Sequence, residues 1–274
     1  MSWRLLNPSL PPRIVAHRSV GSVRPSSSRS PSSSVWIQRQ QNDPFVRQRQ
    51  AANSFVSRSA FKLLELHEKL DLIKPGIHVV DLGAAPGGWI QAADSVLRGT
   101  GTIVGVDLLP LKLSKIASNT ERIGFVKGDF LDPRTQANLR KTLVKVAGGG
   151  DPRVDLVLSD MMANTTGSAL RDAALSLTLC ESALAFALQH LSPTPSIQTQ
   201  LVVKHFTSHH TREFTDRLKG HFKSVKWVKP ESSRKESKEG FLVCGGLKPP
   251  REWPSEPNAT NDKGGQDEED GLYF

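Results

Sequence analysis

Cysteine is nearly missing from this chain: 274 residues hold two, Cys180 and Cys244. They stand far apart in apolar stretches, so neither a disulfide framework nor a zinc-ligand spacing can be written, and no metal is expected. Two core thiols in a reducing compartment are the reading. No stretch approaches the roughly 20 apolar residues of a membrane span, and the first residues lack the continuous apolar core of a secretory signal. Neither membrane insertion nor secretion is expected. Acid is absent as well: the first acidic residue is Asp43. Before it stand Arg4, Arg13, Arg18, Arg24, Arg29 and Arg39, no lysine, and a serine-rich run from Ser26 to Ser34. That is the profile of an organelle transit peptide, with the mitochondrial matrix as the expected address; a basic disordered leader without an address is the alternative.

What remains divides by composition. Residues 1–42 are the leader, 43–247 a single domain, and 248–274 a Pro-, Gly-, Asn- and acid-rich tail expected to be disordered. The central part carries 27 bases and 20 acids, a net charge of +7. A compact basic domain suits a polyanion partner, although many basic proteins bind no nucleic acid.

Within the domain, apolar runs alternate with helical patterns. Phe61, Leu63, Leu64, Leu66 and Leu70 recur at helical period until Lys74-Pro75-Gly76 stops them. Strands are predicted at His78–Leu82, Thr102–Asp107, Ile123–Lys127, Val154–Ser159, Leu201–Lys204, Ser224–Val228 and Gly240–Cys244. Helices are predicted at Trp89–Leu97, Pro133–Val146, Ala169–Leu191 and Arg212–Leu218. The alternation predicts an α/β fold, a mostly parallel seven-stranded sheet with helices on both faces. Asp81, Asp107, Asp129, Asp160 and Lys204 each fall at or just past the carboxyl end of a predicted strand. Ligands of open α/β sheets bind outside those ends. A lone strand-end Asp is as readily a helix cap or a solvated loop residue; five charges at one edge are harder to explain so.

The run from Asp81 to Trp89, Asp-Leu-Gly-Ala-Ala-Pro-Gly-Gly-Trp, reads as a strand end, a tight turn and a helix start. Glycines there let the backbone lie against a ligand. The spacing G-x-x-x-G-G, with a proline inside the turn, departs from the dinucleotide fingerprint G-x-G-x-x-G and favours S-adenosylmethionine over NAD.

Together these residues resemble the FtsJ (RrmJ) ribose 2′-O-methyltransferases of ribosomal RNA, which have a Rossmann-like class I methyltransferase fold. The matching runs are Ser57 to Leu63, Asp81 to Trp89, Val106 to Pro110, Gly128 to Phe130, Ser159 to Met161, Val203-Lys204 and Ser233 to Glu239, in order over residues 57–247. The segment from Trp36 to Phe45 also looks like that of the mitochondrial members. The resemblance places a catalytic Lys-Asp-Lys-Glu tetrad on Lys62, Asp160, Lys204 and Glu239. It implies cofactor contacts from Gly87 and Trp89, from Asp107 to the ribose hydroxyls, from Asp129 to the adenine amino group, and from Asp160. A surface salt-bridge network is the competing reading of the tetrad, and core packing that of Trp89.

Methylating a ribose hydroxyl requires its proton to be drawn away and the reacting atoms to be held in line, and positioning alone contributes about 7–11 kcal/mol. A lysine is ordinarily charged at neutral pH. A neighbouring lysine and burial lower its pKa, and neighbouring carboxylates raise it. Lys204 is thus read as the base, with a charged, orienting Lys204 left open.

Two positions depart from the family pattern: Met162-Ala163-Asn164 replaces Ala-Pro-Asn, and Phe241 stands where relatives carry Tyr. The expected partner is large-subunit ribosomal RNA or a pre-assembled large ribosomal subunit, gripped through phosphates by bases such as Arg47, Arg49, Arg58, Lys62, Arg234 and Lys235. With one tyrosine and no visible RNA-binding module, a monomeric enzyme of this size is expected to need a structured substrate. The resemblance implies a uridine of the peptidyl-transferase region. A transfer RNA or an mRNA cap is the alternative acceptor, and a ribosome assembly factor with incidental methylation the alternative class.

Overall fold

A computed structural model describes residues 55–112, 120–164, 166–191 and 200–252. The leader, Arg47, Arg49 and most of the acidic tail lie outside these residues. The elements are α1 (Ser59–Leu70), β1 (His78–Leu82), α2 (Gly88–Leu97), β2 (Thr102–Asp107), β3 (Ile123–Lys127), α3 (Pro133–Val146), β4 (Leu156–Ser159), α4 (Ala169–His190), β5 (Gln200–Phe206), α5 (Thr211–His221), β6 (Phe222–Val228) and β7 (Glu239–Leu247). The sheet has seven strands in the order β3-β2-β1-β4-β5-β7-β6. Only β7 runs against its neighbours, antiparallel to both β5 and β6. No helix of the described residues is long and apolar enough to cross a membrane.

Strand residues alternate between the two faces, and the core divides accordingly. Val80, Leu82, Val157, Leu201 and Val203 pack with α3, α4 and α5. Val79, Leu158, Val202, Phe241 and Val243 pack with α1 and α2. Counting in steps of two along the strands, Asp81, Lys204 and Glu239 take the α1–α2 side. Sequence order reverses between β1 and β4, with β2 and β3 to one side and β5 to the other. That reversal opens a crevice beyond the strand ends.

Local chemistry sets the element ends. Pro133 starts α3, and the Asp132 carboxylate caps it by accepting from the Arg134 N–H at 2.8 Å. Asp71 ends α1 in the left-handed region, φ 52°. β4 begins two residues later than its apolar run suggests. Val154 is drawn off to bridge Leu191 at the end of α4, its N–H donating to the His190 carbonyl. The ordered chain also continues past 247: Lys248 N–H donates to the His221 carbonyl, and a short 3-10 turn covers Pro250–Glu252.

The loop leading into β7 is bound to α1. The Glu65 carboxylate accepts the N–H groups of Glu231 at 2.6 Å and Ser232 at 3.0 Å, and Arg58 donates to the Ser232 carbonyl. Ser232 is fully buried. At the base of the loop Lys229 donates to the carbonyls of Lys235 and Ser237. Glu65→Ala leaves the buried Ser232 amide unpaired, at about 1–3 kcal/mol. A lower urea midpoint is expected, and unchanged unfolding would show that the loop is held otherwise.

Candidate active site

Four charged side chains meet where α1, β4, β5 and β7 come together. Lys62 rises from the second turn of α1 and pairs with Glu239 at 2.7 Å, both side chains little exposed. Lys204, near the end of β5, lies 3.1 Å from Asp160 Oδ1 and donates to the Asp160 carbonyl at 2.6 Å. The two pairs adjoin. The Lys62 ammonium lies 5.9 Å from the centre of the Phe241 ring, and Phe241 is the residue opposite Lys204 across β5 and β7. Burial pushes the Glu239 carboxyl up, but the paired Lys62 and then Lys204 hold it below its usual range. Phe241 is fully buried against Trp89, so its ring packs between the α1–α2 core and the Lys62 ammonium.

The antiparallel sense of β7 brings Glu239 to this edge. Its first residue faces Phe206, the last residue of β5, so β7 begins where the parallel strands end. The salt-bridge pattern is therefore not a surface network: the pairs sit largely covered at the carboxyl end of the sheet, beside the crevice beyond the strand ends.

That crevice is floored by the turn after β1. Gly83 has φ 84°, and a Cβ on it would come within 2.9 Å of the Met161 backbone. Gly87 caps α2 with φ 114°, leaving the first amides of that helix without intrahelical partners. Gly83, Asp107, Asp129, Phe130, Met161 and Met162 line one cleft. Asp107 accepts the Ala85 N–H on one oxygen and the Leu109 N–H on the other. Asp129 accepts the Leu131 N–H. Each carboxylate thus braces its loop and retains acceptor capacity toward the cleft.

Trp89 requires a correction as to its side chain. The indole is buried, donates its N–H to the Ser59 carbonyl at 2.8 Å and leans on Phe241 at 5.5 Å. An amphipathic helix needs a large apolar residue at this place, and the ring goes to the α1–α2 core. Only the backbone of Trp89, in the first turn of α2, remains on the turn.

Asp81 and Glu65 were not among the site residues expected from sequence, and Arg58, expected to grip RNA phosphate, instead donates to the Ser232 carbonyl. Asp81 is 1% exposed and neither carboxylate oxygen has a hydrogen-bond partner. Burial, and then Asp160 and Asp107, push its carboxyl well above the usual range. Glu65 and Arg58 anchor the loop that carries Glu239, as described above. Asp81 carried a signal in its strand-end position; Glu65 reads as an ordinary exposed helix residue.

Comparison with known proteins identifies the family. Residues 55–247 match the family model described as FtsJ-like methyltransferase. The ribosomal RNA large subunit methyltransferase E of Acidiphilium cryptum is 42% identical over 219 residues, covering 80% of this chain and 88% of that protein. Its namesake from Rickettsia rickettsii is 38% identical over 227 residues, covering 81% and 92%. A solved ribosomal RNA methyltransferase from Plasmodium falciparum superposes with a TM-score of 0.58 at 25% identity, covering 70% of this chain and 97% of that one. The order of the strands, the buried charge pairs and these similarities agree that the chain belongs to the FtsJ-like methyltransferase family.

Proposed function

We propose that this protein transfers a methyl group from S-adenosylmethionine to the ribose 2′-hydroxyl of a uridine in mitochondrial large-subunit ribosomal RNA. The observation that carries the reaction is the convergence of Lys62–Glu239 and Asp160–Lys204 at one end of the glycine-floored crevice. The relatives' names support ribosomal RNA as the substrate. The arginine-rich, acid-free first 42 residues support the mitochondrial matrix, and the family resemblance supports uridine. We assign the pre-assembled large subunit as partner, met by a monomer.

The residues present fit the cofactor. Asp107 and Asp129 offer acceptors to ribose hydroxyls and an amino group, and the amides at the start of α2 suit a carboxylate. A buried carboxylate without partners, Asp81, suits a cationic amine. When bound, S-adenosylmethionine supplies a methyl carbon on a cationic sulfur.

The chain's own groups do the rest. Glu239 fixes the Lys62 ammonium, which orients the acceptor ribose. Lys204, once its ammonium has released a proton to solvent, takes the hydroxyl proton as negative charge gathers on the oxygen, and Asp160 stabilises the ammonium so regenerated. Holding the acceptor oxygen in line with the methyl group would contribute more of the rate than the proton transfer, and that positioning would fall to Lys62 and Lys204 on one side and to Asp107 and Asp129 on the other.

Lys204→Ala is expected to lower methyl transfer by about 10²–10⁴-fold while cofactor binding persists. Labelled methyl transfer to large subunits and to naked ribosomal RNA, followed by mapping of the modified nucleotide, tests the whole reading. Label on a base, on a protein, or on transfer RNA alone would sink it.

Asp81 generates a pH test. Its folded pKa lies above the unfolded value of about 3.9. The proton-linked stability is thus fully present below that pH and lost as pH rises through the folded value. Without cofactor, Asp81→Asn should gain stability relative to the wild type as pH rises from acid to neutral, and should bind S-adenosylmethionine more weakly. Urea midpoints that keep a constant separation across that range would contradict the assignment.

A further inference from the structure

We propose that a second cavity, over the carboxyl ends of β4 and β5, receives the base of the acceptor nucleotide, unstacked from the RNA. This rests on the function just assigned and deepens it. The cavity has a volume of about 450 Å³, ample for a nucleobase. Its walls are largely apolar and include Met162, Leu170, Ala173 and Phe206, with Asn164 and Lys238 also in the lining.

Position is the first argument. Met162 lines this cavity and the cleft that holds Asp107 and Asp129, so the two hollows share a wall. Phe206 connects the cavity to the reaction: its ring centre lies 6.0 Å from the Lys204 ammonium. A ribose whose 2′-oxygen faces Lys204 has room on this side for its base.

Polarity is the second. Met162 and Leu170 are 61% and 68% exposed and lie together in one concave lining with Phe206, an apolar surface suited to a flat, neutral ring. Bases pulled from single-stranded RNA are held by apolar and aromatic side chains and read by hydrogen bonds at their edges. Asn164 offers both a carbonyl and an amide donor, complementary to the N–H and carbonyl of a uracil edge.

Asp172 also contributes to the wall, and hydrogen bonds from Thr166 hold its carboxyl below the usual range. Lys238 stands in the same lining, so the wall holds a cation as well as an anion, and its apolar surface favours a base over a phosphate. The backbone phosphates fall to the basic loop with Arg234 and Lys235.

The test uses the scarcity of methionine, for the chain has three and two of them are Met161 and Met162. Full-length protein carrying carbon-13 methyl methionine is saturated with S-adenosylhomocysteine, filling the first cleft, and then titrated with uridine. The Met162 resonance should move in the wild type and stay still in Ala173→Phe, whose ring fills the cavity. In methyl transfer to large subunits, Ala173→Phe should lose at least tenfold in kcat/KM while binding S-adenosylmethionine as the wild type does. A Met162 signal indifferent to uridine, one that moves equally in Ala173→Phe, or undiminished transfer by that variant overturns the proposal. A Met162 response together with a wild type that leaves large subunits unmethylated would instead overturn the assigned substrate and leave the cavity's role standing.

Discussion

The rest of the structure depends on charge neutralisation at the end of an apolar sheet. Lys62, Glu239, Lys204 and Asp160 all have little exposed side-chain surface, and desolvating each ion costs several kcal/mol before any pairing. Removing one partner from such a pair typically costs about 3–5 kcal/mol, a large share of the about 5–15 kcal/mol that holds a domain folded. The four are therefore sustainable as two pairs and not as four separate charges. A stability argument alone would favour apolar residues at the same places. Their presence implies that the molecule needs charge there, at the one edge where a ligand can reach it.

That arrangement is achieved by breaking the parallel pattern once. A parallel strand in the place of β7 would bring its last residue to the crevice, and the long loop before Glu239 would open at the far end of the sheet. Running β7 backwards puts both Glu239 and the basic loop before it beside Lys204. The loop then needs an anchor, which Glu65 and Arg58 on α1 provide through the backbone at Glu231 and Ser232. The same helix carries Lys62 one turn away. One rigid element thus presents the first lysine and fixes the carboxylate that neutralises it.

Much of this was legible in the sequence, for identifiable reasons. Apolar runs punctuated by Gly and Pro marked the central strands, because strands buried on both faces read as continuous apolar stretches, whereas β6, at the edge and largely exposed, is mixed in sequence. The parity of Lys204 and Asp81 along their strands follows from the same alternation. Boundaries were less legible: Val154 belongs to an apolar run yet pairs with Leu191, a choice made by α4 and not by local propensity. Trp89 shows a different limit. Its spacing fits a helix start beside the cofactor turn and also a core position, and the two differ only in the direction of the indole, which Ser59 and Phe241 determine. The Glu65 anchor was invisible because its partners are backbone amides some 166 residues away in sequence, and no side-chain pattern records them.

The crevice also has a polarity that bears on how a methyl group could cross it. On the β2–β3 side the lining carboxylates are Asp107 and Asp129, acceptors for hydroxyl and amino groups. On the β5–β7 side stand Lys204 and Lys62, suited to an acceptor attached to phosphates. Asp160 lies between them at the end of β4, where the sheet order reverses, its N–H bonded to the Leu82 carbonyl at 3.1 Å. Acidic side chains thus line one half and basic ones the other, with Asp160 between them. On the proposed reading, the Asp160 carboxylate at this reversal, paired with Lys204, marks the meeting point of the two halves.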